Sequence, residues 1–105
     1  VNVYYDPDQH GLETFGEIDW SDGNYCFDLT VVWRRTSDGT FVYCEDLGCS
    51  CPTPFEDTPV EKLTAISSLA QFKEILDGRN ANCYDGDRSA QMTNLIERMH
   101  GAGAR

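Results

Sequence analysis

Cys49-Ser50-Cys51-Pro52-Thr53-Pro54-Phe55-Glu56-Asp57 places two thiols, two prolines, one aromatic ring and two carboxylates in a single short stretch. A thiolate is a nucleophile, a metal ligand or a redox partner, and each proline removes a backbone donor and stiffens the chain. Cys44 lies just upstream, and Cys83 is a distant thiol that the fold would have to bring in. Zinc is the one cofactor these residues suggest, with Cys44, Cys49, Cys51 and Cys83 as four thiolates in the tetrahedral sulfur set that zinc favours. The spacing is poor, because structural zinc sites keep at least two residues between paired thiols and Cys49 and Cys51 have one. The plainer alternative makes Cys44 a half-buried strand residue and leaves Cys49 and Cys51 to shape the loop.

Other chemistries find less. A Cys-x-Cys pair can oxidise, but the short ring is strained, and Glu45, Asp46, Glu56 and Asp57 would raise the thiol pKa values rather than lower them. A disulfide such as Cys44 to Cys51 is open on exposure to air. Nucleophilic catalysis needs a base in reach. The two histidines are His10, beside a turn, and His100, at the end of the last helical pattern, where a cation suits the macrodipole. Asp85-Gly86-Asp87 resembles a calcium-loop fragment without its remaining ligands, and reads better as a turn followed by a helix cap at Asp87. No phosphate-binding glycine loop, nucleophile elbow or His-Glu-x-x-His is present.

Asp46-Leu47-Gly48-Cys49-Ser50-Cys51-Pro52-Thr53-Pro54-Phe55-Glu56-Asp57 resembles the core of small proteins of unassigned activity encoded by phages of actinobacteria. Tyr4-Tyr5-Asp6-Pro7 with Gly11-Leu12-Glu13, and Thr30-Val31-Val32-Trp33, are similar to the same group. The likeness covers roughly residues 4–76 and fades around Cys83 and the last helix. It implies a cytoplasmic phage accessory protein acting in an infected cell, and it carries no catalytic role.

These residues need elements to position them. The chain has 105 residues, enough for one domain with a modest core, and its 25% charged and 40% hydrophobic content is that of a globular protein. Residues 12–20 alternate, with Leu12, Thr14, Gly16, Ile18 and Trp20 on one side and a bulge expected at Gly16. Residues 25–34 form the clearest strand. Tyr25, Phe27, Leu29, Val31 and Trp33 face a core, and Cys26, Asp28, Thr30, Val32 and Arg34 face a side that tolerates water. A third strand over 41–45 follows an Asp38-Gly39 turn. The Cys/Pro loop then spans 46–57.

Thr58-Pro59-Val60-Glu61 has the capping-box form and predicts a short turn, and 63–66 reads as extended. Ser68 caps a helix that runs to about Asp77 and stops at Gly78. The last helix starts near Asp87, buries Met92, Leu95, Ile96 and Met99, ends at Gly101, and leaves a fraying tail. The expected fold is α+β, a three- to four-stranded antiparallel β-meander packed against two C-terminal helices, in one acidic domain over residues 1–105.

Net charge is −10, and it is uneven: residues 1–61 carry −11 and residues 62–105 carry +1. Such an acid surface repels nucleic-acid phosphates and attracts basic proteins. No apolar run can span a membrane, and Val1 to Pro7 has neither the basic nor the apolar region of a secretory signal. The functional expectation is a non-enzymatic protein-binding domain that docks on a basic host protein or on its own copies. Its contacts would be Cys49, Cys51, Pro52, Pro54, Phe55, Glu56 and Asp57. A zinc-stabilised structural domain and an acidic nucleic-acid mimic acting as an inhibitor are the alternatives.

Overall fold

The computed structural model describes residues 3–21, 26–49, 54–56, 58–82 and 87–104. Four strands, β1 (Leu12–Asp19), β2 (Cys26–Arg35), β3 (Phe41–Cys49) and β4 (Thr64–Ala65), form one sheet in the order β1-β2-β3-β4, and every neighbouring pair is antiparallel. Two helices follow, α1 (Leu69–Ala81) and α2 (Ser89–Gly101). The architecture is the expected α+β meander with C-terminal helices.

The expected wet face of β2 is dry at its centre, while Asp28 and Arg34 on it remain partly exposed. Thr30 and Val32 are each 0% exposed, and Val32 packs with Ile18, Trp20 and Phe41 against Leu69, Phe72 and Leu76 of α1 and Met92, Leu95 and Met99 of α2. The opposite face is also dry. Leu29, Val31, Trp33 and Val42 pack there with Val3, Leu12, Phe55 and Leu63. The sheet is therefore the middle of three layers: helices on one side, and on the other the N-terminal segment with the end of the Cys/Pro stretch.

β1 contributes to both cores because its pairing slips once. Thr14 lies opposite Trp33 and Gly16 opposite Val32, so Phe15 is an extra residue. A bulge reverses the side that each later residue takes. Leu12 consequently joins the Trp33 side, whereas Ile18 joins the helix side, although both are even-numbered. Gly16 leaves room for α2 at the crossover: a Cβ there would sit 2.8 Å from Leu95 Cδ1, so Leu95 would have to shift.

Helix limits shift from the local signals. α1 passes through Gly78 to Ala81, although an interior glycine costs about 1 kcal/mol relative to alanine. Beyond Gly78, Arg79 pairs with Asp28 and Glu45 of the sheet, and Asn80 Oδ1 accepts from the Arg88 amide. These tertiary contacts hold the extra turn. α2 likewise includes Gly101, and the stop is Gly103 at φ +103°. The Gly103 amide donates to His100 O and the Ala104 amide to Met99 O, the paired bonds of a Schellman cap. Ala102 and Ala104 pack on the core, so the tail through Ala104 is docked rather than frayed. Ser68 caps α1 as expected, its hydroxyl accepting from the Gln71 amide at 3.3 Å. Val60–Lys62 is only a 3-10 turn, as the sequence suggested, but Pro59 stands at its cap and no side chain closes a capping box there.

Candidate functional site

The Cys/Pro stretch begins later than its composition suggested, because Asp46 to Cys49 continue β3. Cys51, Pro52 and Asp57, and with them Cys83, lie outside the described residues. Cys49 is placed by its register as the last residue of β3, opposite Cys26. Pro54, Phe55 and Glu56 form a turn that comes back onto the sheet.

Phe55 is a plug rather than a contact. Its side chain is 1% exposed, edge-on to Trp33 with ring centres 5.3 Å apart and stacked on Tyr4 at 5.8 Å. The assignment of Phe55 to a recognition surface is thus corrected. The strip of apolar sheet left by Leu29, Val31 and Trp33 needs a cover, and this ring supplies it. Its backbone has φ 60°, a left-handed conformation that costs a bulky residue about 1 kcal/mol or more. Two interactions hold it: the buried ring, and the amide, which donates to Asp46 Oδ2 at 2.7 Å. A carboxylate on the last part of β3 thereby fixes the returning loop. Glu56, the next residue, is exposed.

The N-terminal segment lies beside it. Val3 is fully buried, and its carbonyl accepts from Trp33 Nε1 at 3.0 Å. Tyr4 covers Phe55 and donates from its hydroxyl to the Glu17 carboxylate at 2.9 Å. Burial first, and then the Glu17 carboxylate, push the Tyr4 phenol far above its ordinary value, so it stays a donor throughout the physiological range. Tyr5 stands edge-on to Tyr4 at 5.0 Å and is 60% exposed. An exposed ring therefore sits against a braced aromatic stack whose Tyr4 hydroxyl is tied to Glu17.

Sequence reasoning missed a polar network on the helix side. Trp20 Nε1 donates to Thr30 Oγ1 at 2.9 Å, and the Thr30 hydroxyl donates to Glu45 Oε1 at 2.7 Å. The Arg79 guanidinium bonds Asp28, lies 3.5 Å from Glu45, and rests over the Trp20 ring. Arg88 donates to the carbonyls of Asp19 and Ser21, and Arg98 donates to the Phe15 carbonyl while covering its ring. The charge asymmetry between the two parts of the chain was the available signal. Arg79, Arg88 and Arg98 tether the helical layer to the sheet side, Arg79 through carboxylates and the other two through main-chain carbonyls, whereas Lys73 pairs with Asp77 within α1.

Cys44 is half-buried on β3, a free thiol packed on the Phe55 side, which agrees with the plainer of its two readings. Burial, the largest cause, and the Asp46 and Glu45 carboxylates push this thiol up, and a backbone hydrogen bond at Glu45 and the Lys62 charge oppose them. The unbroken β2–β3 register puts Cys44 and Cys49 five residues apart on one strand, hence on opposite faces. Among the described residues, no three of His, Cys, Asp or Glu are grouped for a metal. His10 sits in the 3-10 turn before β1 with Nε2 buried and without a hydrogen-bond partner, and His100 is exposed near the end of α2.

The described residues form a three-layer α+β domain with a braced aromatic corner. A family model described as Domain of unknown function (DUF7574) matches residues 1–104, and the chain belongs to that family. Comparison with curated proteins and with solved structures gives no match. No helix among the described residues is long and apolar enough to cross a membrane.

Proposed function

We propose that this is a non-enzymatic docking domain for a basic protein surface, with the Tyr5 corner as its contact. The observation that carries it is the 60% exposed Tyr5 ring, held on the Tyr4–Phe55 stack. A pre-positioned aromatic ring loses little conformational freedom on binding, and aromatic anchors with polar rims are the usual form of protein contacts. Glu17 and Glu56 give the rim its sign, and the net charge of −10 steers a cationic partner towards the domain. Pro54 and Glu56 stay in this reading from the original loop, and Phe55 supports it from below. Action as a phage accessory factor in the host cytoplasm fits the resemblance of the Cys/Pro stretch.

The test is affinity capture from lysate of an actinobacterial host, using wild type, Tyr5→Ala with Glu56→Lys, and Ile75→Ser on the exposed side of α1 as a control. A basic protein retained by wild type and Ile75→Ser, and lost with the double variant, is the expected pattern. Equal recovery with all three proteins, each shown to be folded, would reject the Tyr5 corner.

A further inference from the structure

Cys26 is the residue to which neither the metal reading nor the docking reading gives a task. The register places it directly opposite Cys49, as the last pair of the β2–β3 ladder. The kind of pair follows from two hydrogen bonds. The Trp20 amide donates to Asp28 O at 2.7 Å, so Asp28 turns its main-chain groups towards β1. The Arg35 amide donates to Thr40 O at 2.8 Å, so Arg35 turns its own towards β3. Main-chain direction alternates along a strand, and the β2–β3 register runs without a shift from Cys26 to Arg34. Even-numbered residues of β2 therefore bond towards β1, and Cys26 and Cys49 form a non-hydrogen-bonded pair. In such pairs the Cα atoms are about 4.5 Å apart. That lies inside the roughly 4.4–6.8 Å span of disulfides. The next pair on this row is Asp28 and Leu47, and Leu47 is 71% exposed.

We propose that Cys26 and Cys49 are a cross-strand redox pair that takes a low-molecular-weight disulfide such as oxidised glutathione as its oxidant. One protein thiolate attacks the small disulfide, forming a mixed disulfide and releasing one small thiolate. The second protein thiolate attacks the protein sulfur of that mixed bond and expels the other small thiolate. Two protein thiols lose their protons and two electrons, and the small disulfide is reduced to two thiols. The bond ties the start of β2 to the residue from which the Cys/Pro stretch leaves the sheet. Cys44, on the opposite face and with a raised thiol pKa, takes no part.

The test treats the reduced full-length chain with oxidised glutathione, alkylates free thiols with iodoacetamide, and maps the digest by mass spectrometry. The expected result is one linked peptide joining Cys26 to Cys49, alkylation of the remaining three of the five cysteines, and reversal by dithiothreitol. Cys51→Ser should form the same link, and Cys26→Ser should form no internal link. A link from Cys49 to Cys51 or to Cys83, or alkylation of Cys26 under the oxidant, would overturn the assignment. The Cys51→Ser arm decides the matter even if Cys26→Ser fails to fold.

Discussion

The two faces of the sheet are buried to a similar degree by opposite means. On one side, two regular helices lay Phe72, Leu76, Leu95 and Met99 across Val32 and Ile18. On the other, irregular chain delivers Val3, Phe55 and Leu63 onto Val31, Trp33 and Val42. A helix brings its own backbone hydrogen bonds and a repeating apolar stripe. Irregular chain brings neither, and two of the three arrivals are fixed by a specific bond: Trp33 Nε1 to Val3 O, and the Phe55 amide to Asp46. A core can thus be closed without regular structure when side chains of the sheet itself receive the covering backbone.

If the two faces carry comparable weight, truncating either plug should cost the same. Phe55→Ala and Phe72→Ala are each expected to lose about 3–5 kcal/mol, measured by urea unfolding. A loss below about 1 kcal/mol for Phe55→Ala alone would demote the loop face from core to cover. The crossover between the faces gives the next effect. Gly16→Val drives a side chain into Leu95 and should destabilise by about 1–3 kcal/mol, with part regained in Gly16→Val/Leu95→Ala. Unchanged stability would mean that α2 does not rest on the bulge.

Asp46→Ala isolates the bond that brings the loop down. Leaving the Phe55 amide without its acceptor should cost about 1–2 kcal/mol. The smallest effect belongs to the helix side. Hydrogen bonds from Ser89 and Asn80 hold the Asp87 carboxyl at about 2, below its ordinary 3.8. The folded pKa is the lower one, so its contribution is complete above about pH 4 and is lost as pH falls through about 2. Asp87→Asn should flatten the acid limb of a pH–stability curve slightly over that window, while Phe55→Ala shifts the whole curve without changing that limb.

The helix side was largely legible in the sequence, because Met92, Leu95, Ile96 and Met99 repeat at a helical period and Ser68 carries its capping signal. The β2–β3 meander was legible from alternation and the Asp38-Gly39 turn. What hid was the second core. Val3, Phe55 and Leu63 share no period, and nothing local marks them as partners of Trp33. Alternation in β2 suggested one wet face because Thr30, Asp28 and Arg34 are polar. Thr30 is nevertheless wholly buried, with its hydroxyl bonded to both Trp20 and Glu45. Composition drew attention to the Cys/Pro stretch but assigned Phe55 outward. The pairing of Cys26 with Cys49 required a register, which the spacing of cysteines does not encode. Gly78 and Gly101 both misled, since contacts by Arg79 and Ala104 outweigh a local stop signal.

Amide hydrogen exchange at Phe55, followed by NMR in the full chain, tests the closed loop face most directly. Its proton is expected to exchange as slowly as the β2–β3 ladder amides and to speed up in Asp46→Ala, whereas exchange at the rate of an unstructured peptide in the wild type would contradict a braced second core.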